Sequence, residues 1–190
     1  KALQYDSTKV DLWKDISDMY NEIGDYANAI DAYVKFMNSL SDKDRNADII
    51  IALGKLYYSY GNDPKTAPDV KKSALLKADS IFAKIAELEP DGYRGNFWRA
   101  RANSALDPET TLGLAKPFYE STAALIESKN DPRFNSVLIE CYSYLGYYTL
   151  VQKDYEKSLQ YWDKILKIDP NNATAKKAIE GIKPQKKNEK

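Results

Sequence analysis

Histidine is absent from this chain, cysteine occurs once, and its 28 basic side chains cancel its 28 acidic ones. Each shortage excludes something. Without an imidazole, Ser–His and Cys–His nucleophilic arrangements cannot be built. Cys141, beside Tyr142 on an apolar helical stretch, reads as a packing residue rather than a nucleophile. One thiol forms no internal disulfide, so the redox compartment cannot be read from it. There is no Cys/His cluster at metal-ligand spacing and no glycine-rich phosphate loop, which predicts no metal, no cofactor and no catalytic residues. Zero net charge gives a phosphate backbone no reason to bind, so nucleic acid is not an expected partner. No apolar run approaches the roughly 18 residues of a membrane span, so this segment is not expected to insert in a bilayer.

What the chain has is a core and an excess of tyrosine. Apolar residues make up 43% of its 190 positions and charged residues 29%, enough to fold as one domain or one repeat array. Fifteen tyrosines stand against five phenylalanines and three tryptophans. Tyrosine joins a large apolar body to a polar tip, which suits half-buried helix contacts and recognition surfaces.

The chain also repeats itself. Tyr142, Leu145 and Gly146 lead to Tyr155, Ser158, Trp162, Ile165 and Pro170. Upstream, Trp13, Ser17 and Tyr20 lead through Gly24-Asp25-Tyr26 to Ala29, Tyr33 and Phe36. Leu53, Gly54 and Tyr57 lead to Ala78, Phe82 and Pro90, and Trp98, Ala102 and Ala105 lead to Ala115 and Tyr119. In each copy a small residue of a first helix (Ser17, Gly54, Ala102, Gly146) precedes a small residue of a second (Ala29, Ala78, Ala115, Ser158), at separations of 12, 24, 13 and 12. Close crossing of two antiparallel helices requires small side chains, and the large flanking residues bury each pair against its neighbours.

This pattern resembles the tetratricopeptide repeat (TPR) over residues 11 to 170. The resemblance implies an all-α superhelix, a TPR solenoid of about four helix pairs plus a C-terminal cap helix. The expected repeats run 11–43, 44–92, 93–135 and 136–170, with an insert near 62–77, a cap at 171–183 and a polar, flexible tail at 184–190. Residues 1–10, which open at Lys1 rather than Met, read as the end of an earlier helix, so the chain looks like a piece of a longer protein. The insert is expected to lengthen the second helix of its repeat and project beyond the stack. Gly24 and Gly61 suit left-handed helix ends. Arg101 departs from the usual Leu, and Pro117 fits a helix start near Lys116.

Two short motifs have simpler explanations than binding. Asp42, Asp44, Asn46 and Asp48 alternate as in a calcium loop, but Ala47 and Leu53 occupy the positions of its Gly and Glu, which leaves helix capping. Asn172-Ala173-Thr174 fits a glycosylation acceptor, and Asn at a helix start is also what capping predicts.

The resemblance further implies a non-enzymatic scaffold that binds a protein or peptide in a groove lined by the first helix of each pair. The residues carried over are Lys14 and Asp18, then Tyr58, then Arg99 and Asn103, then Tyr147. Asp11, Asn21, Glu22, Asp48, Ile51, Lys55, Ser59, Asn96, Asp107, Glu140, Ser143, Leu150 and Val151 belong to the same expected surface. A carboxylate clamp of the co-chaperone type is disfavoured, because Asp15, Asp48 and Ala52 supply no further cations. The alternative is a structural role, assembling a larger complex through self-association, so oligomerisation stays open. Tyr- and Asn-rich repeats with a long insert look like bacterial TPR proteins, many of them exported.

Overall fold

The computed structural model describes residues 7–188, with side chains from Asp11 to Lys183. The assignment of Lys1–Asp6 to an earlier helix lies outside these residues. Among the described residues there are nine α-helices and no strand: α1 Ser7–Glu22, α2 Tyr26–Ser39, α3 Ala47–Asn62, α4 Pro68–Leu88, α5 Arg94–Leu106, α6 Lys116–Glu127, α7 Asn135–Val151, α8 Tyr155–Ile168 and α9 Ala173–Asn188. None of the described helices is long and apolar enough to cross a membrane. The all-α, paired-helix architecture expected from the repeat is therefore the one present. α9 carries helix through Pro184 to Asn188, residues that the sequence places in a flexible tail.

Two compact units divide the chain between Glu89 and Pro90. In the first, α1 pairs with α2 and α3 with α4. A cluster of Ala29, Ile30, Tyr33, Phe36 and Leu56 joins α2 to α3, and Ala78, Phe82 and Ile85 bury α4. In the second, α5 pairs with α6 and α7 with α8, and α9 adds Ala175, Ile179 and Ile182 to one continuous core.

All eight small residues of the repeat pattern are buried. In the first pair the Ser17 hydroxyl, on α1, donates to the Ala29 carbonyl at 2.8 Å. In the fourth pair the roles reverse: the Ser158 hydroxyl, on α8, donates to the Gly146 carbonyl at 2.7 Å. A hydroxyl at a crossing thus serves as both small side chain and interhelical tie, satisfying itself where water is excluded.

The loops follow from local chemistry. Gly24 takes φ +77°, and Asp25 then caps α2 by accepting from Asn28 N. Lys153 stands at the equivalent place before α8 with φ +61°, and Asp154 caps that helix through Lys157 N. Asn46 caps α3 through Ile49 N at 3.1 Å, and Asn172 accepts from Ala175 N at 3.0 Å, so both short motifs are used as caps. Pro117 lies in the first turn of α6, where its missing N–H costs nothing.

Two expectations are corrected. Gly61 does not end a helix: it lies inside α3, where an added Cβ would stand 2.5 Å from Leu75 Cγ. The insert does lengthen α4, to 21 residues, but it does not simply project. Ala74 and Leu75 are buried, because Gly61 lets α4 approach α3 beyond the usual crossing.

Candidate functional site

In the first unit, the first helices of two successive pairs meet around a solvent-open hollow of about 210 Å³. α1 contributes Asp18 and Asn21, α2 contributes Tyr33, and α3 contributes Ala52, Lys55, Leu56 and Ser59. A carboxylate, an ammonium, an amide and a hydroxyl therefore surround an apolar floor. The Tyr33 hydroxyl donates to the Ile49 carbonyl at 3.2 Å, which fixes the ring at the back of the hollow. Burial, with Asp18 adding to it, pushes the Tyr33 phenol up to about 12, so it stays neutral. Lys14 ion-pairs with Asp18 at 2.8 Å on the exposed rim, and that hydrogen bond holds its ammonium above the usual range.

The other expected residues divide. Tyr58 is half-buried outside the hollow, and its carbonyl accepts from Asn62 Nδ2 at 2.8 Å. Ile51, expected on the groove, is 5% exposed and packs into the core of α3.

In the second unit, the Arg99 guanidinium lies 4.1 Å from the centre of the Phe118 ring on α6. Asn103 turns its amide back on its own helix and donates to the Arg99 carbonyl at 2.9 Å. Tyr147 on α7 is 45% exposed, a large aromatic held at the surface. Asp107 is corrected to a structural role. It is 4% exposed, and its carboxylate accepts from the backbone N–H groups of Thr111, Leu112 and Gly113 at 3.1, 3.0 and 2.8 Å, which shapes the α5–α6 loop.

Glu140 is likewise not a free groove residue. Arg101 donates to both its oxygens, at 2.7 and 2.5 Å, and the Tyr119 hydroxyl donates to Oε1 at 3.1 Å. The Arg101 guanidinium also lies 4.5 Å from the Phe97 ring centre and 4.8 Å from that of Trp98. This tie between α5, α6 and α7 explains why Arg replaces Leu at 101: the fork matches a carboxylate in two-point geometry and stacks on aromatic faces. Its only sequence signal was the departure at Arg101, which named no partner.

Cys141 is fully buried, and burial, with Glu140 next, pushes its thiol well above the ordinary range. Thiolate chemistry is suppressed there.

The buried tyrosines give a prediction. Burial raises the phenols of Tyr33 and Tyr144 to about 12, and those of Tyr119 and Tyr142 higher. An unfolded phenol ionises near about 10. The neutral phenol is thus favoured in the fold, and its contribution is complete below about pH 10 and lost as pH rises through 12. The melting temperature should hold from neutral pH to about pH 10 and then fall. Part of the phenolate absorbance should appear only with unfolding. A spectrum in which all tyrosines ionise near pH 10 while helix content stays native would refute this burial.

Comparison with solved structures finds similarity to the C-terminal part of a TPR repeat-containing protein from Cytophaga hutchinsonii, at TM-score 0.77 and 31% identity. The match covers 94% of this chain and 63% of that one, so this chain spans a little under two thirds of the solved chain. No protein-family model and no curated protein matches.

Proposed function

We propose, from the tetratricopeptide-repeat fold that this chain has, that it is a non-catalytic interaction module holding a peptide segment of a partner protein on its first-helix faces. That fold generally mediates protein–protein interaction and is typically a non-enzymatic scaffold. The observation that carries the reading is the hollow where Asp18, Asn21, Lys55 and Ser59 converge on Tyr33. Paired charge and hydrogen-bonding groups over a small apolar floor suit a peptide backbone with polar side chains, and the neutral Tyr33 keeps the floor uncharged. Lys14 flanks the hollow through Asp18. In the second unit the exposed ring of Tyr147, with Arg99 and Asn103, is a further contact patch, since aromatic residues and arginine dominate interface energetics. Tyr58 takes the lesser part its half-burial allows.

Peptides selected from a displayed library on the 190-residue chain test this. Asp18→Ala with Lys55→Ala should weaken the selected peptide about tenfold or more, equivalent to about 1.4 kcal/mol. Tyr147→Ala should weaken peptides that also reach the second unit. The urea midpoint should barely move, because exposed helix positions tolerate alanine. Undiminished binding by both the double variant and Tyr147→Ala would reject the first-helix faces as the site.

A further inference from the structure

The lengthened α4 builds a cleft on the second pair. It runs 21 residues where the other second helices run 12 to 14, and its added turns stand beside the C-terminal half of α3. Between the two helices lies a solvent-open cleft of about 620 Å³. Tyr57 and Tyr60, one turn apart, supply its α3 side, and Val70 and Leu76 supply an apolar wall on α4. Both rings are half-buried against the cluster that holds Phe36 and Leu56, which fixes them in place. Tyr60 also meets Tyr26 at the start of α2, with ring centres 6.3 Å apart.

This combination is particular to the second repeat. Counted from the small residue at each crossing, the positions of Tyr57 and Tyr60 hold Tyr20 and Ile23 in the first repeat. They hold Ala105 and Pro108 in the third, and Thr149 and Gln152 in the fourth. The aromatic pair and the long wall therefore occur together once, on a pair that has another pair before it and after it in the chain. Charges mark the two ends of the wall. Asp69 and Lys77 are exposed, and among the described residues neither is ion-paired. They stand eight residues apart on one face of α4, about 12 Å at 1.5 Å per residue. Ser73 and Ser80 present hydroxyls on the same face.

These features narrow the occupant. Both sides of the cleft are helices, whose backbone groups bond within themselves, so no free ladder awaits an added strand. A docked helix needs a continuous apolar trough for its i, i+3, i+4 and i+7 side chains, and here hydroxyls and charges interrupt the wall. A polyproline II segment needs neither. It makes no backbone ladder, arrives already ordered, and lays its proline rings on aromatic side chains. At about 3.1 Å per residue, four of its residues span the distance from Asp69 to Lys77. We propose that the cleft between α3 and α4 binds a proline-rich segment of a partner protein in the polyproline II form. Its prolines lie on Tyr57 and Tyr60, a Lys or Arg faces Asp69, and a Glu or Asp four residues away faces Lys77. The cleft shares no residue with the hollow of α1, α2 and α3, so each reading stands or falls alone.

The probe is a fluorophore-labelled peptide with an Arg-Pro-Pro-Pro-Glu-Pro core, and its binding to the 190-residue chain is read by fluorescence anisotropy. Lys77→Glu, at an exposed helix position, should weaken it about tenfold or more with an unchanged urea midpoint. A second probe with Lys in place of Glu should regain the lost affinity on that variant. Tyr60→Leu, which keeps apolar bulk without the ring, should weaken both probes. A proline-free core, Arg-Ser-Gly-Ser-Glu-Ser, should bind the native chain about tenfold more weakly or worse. Asp18→Ala with Lys55→Ala should leave the proline probe unaffected. Four results would each overturn the proposal. The first two are no binding at about 1 mM probe and equal binding of the proline-free core. The third is an affinity that survives Lys77→Glu but not the Asp18 and Lys55 changes, which would put the peptide in the hollow. The fourth is a dimer that Leu76→Glu dissociates, which would assign the cleft to a second copy.

Discussion

A chain carrying Gly146→Leu is expected to lose about 3 kcal/mol or more of stability. Even a single added Cβ at this position would stand 2.8 Å from Trp162 Cε2 and 3.0 Å from Nε1. The ring has nowhere to go. Trp162 is 4% exposed, and its Nε1–H donates to Ser158 Oγ at 3.1 Å, while that hydroxyl in turn donates to the Gly146 carbonyl at 2.7 Å. Moving the ring aside would break a buried chain of hydrogen bonds, each worth about 1 kcal/mol, in addition to about 1–3 kcal/mol for overpacking. Leucine's better helix propensity, worth at most about 1 kcal/mol over glycine, does not offset this. Urea unfolding followed by tryptophan fluorescence measures the loss. Gly181→Ala is the control, since nothing lies within 4 Å of a Cβ there and no destabilisation should result. An unchanged midpoint for Gly146→Leu would mean that α7 and α8 do not cross at this residue.

Deletion of residues 65–76 is expected to lower the melting temperature of the first unit by about 10 °C or more. Read from the sequence alone, the insert could be trimmed without consequence, as turns protruding past the stack. The packing says otherwise. Leu75 and Ala74 are 4% and 5% exposed, and Leu75 fills the space that Gly61 leaves on α3. Removing a buried leucine costs about 2–5 kcal/mol by itself. The deletion would also strip the last turns of α3 of their cover. Circular dichroism during heating reads the outcome, and a melting curve superimposable on that of the intact chain would show that these turns contribute nothing. The narrower change Leu75→Ala should move the transition in the same direction by a smaller amount.

These two predictions differ in how they were reached. The crossing at Gly146 was legible because the requirement is local and repeated: four pairs of small residues in register admit one packing solution. The caps at Asn46 and Asn172 were equally legible, since each satisfies a backbone N–H three residues on, whereas those at Asp25 and Asp154 came from the structure. The candidate site was legible only in part. Asp18, Asn21, Lys55 and Ser59, all expected on the first-helix faces, line the hollow together, because the repeat offset carries a face from one pair to the next. Asp107 and Glu140 had the same sequence credentials and proved to be structural. No periodicity distinguishes a carboxylate that meets solvent from one that meets three backbone amides or a guanidinium 39 residues away.

Helices, their pairing and the small residues at each crossing were readable from local pattern, because helix period, capping and close approach are set by neighbours in the chain. Tertiary structure alone decided which polar side chains are spent inside the fold and which remain for a partner. Arg101 became a tie rather than a groove cation because α7 brings Glu140 to it, and Leu75 became core because Gly61 has no side chain to keep α4 away. Both outcomes depend on contacts between residues far apart in sequence, whose energies no local pattern encodes.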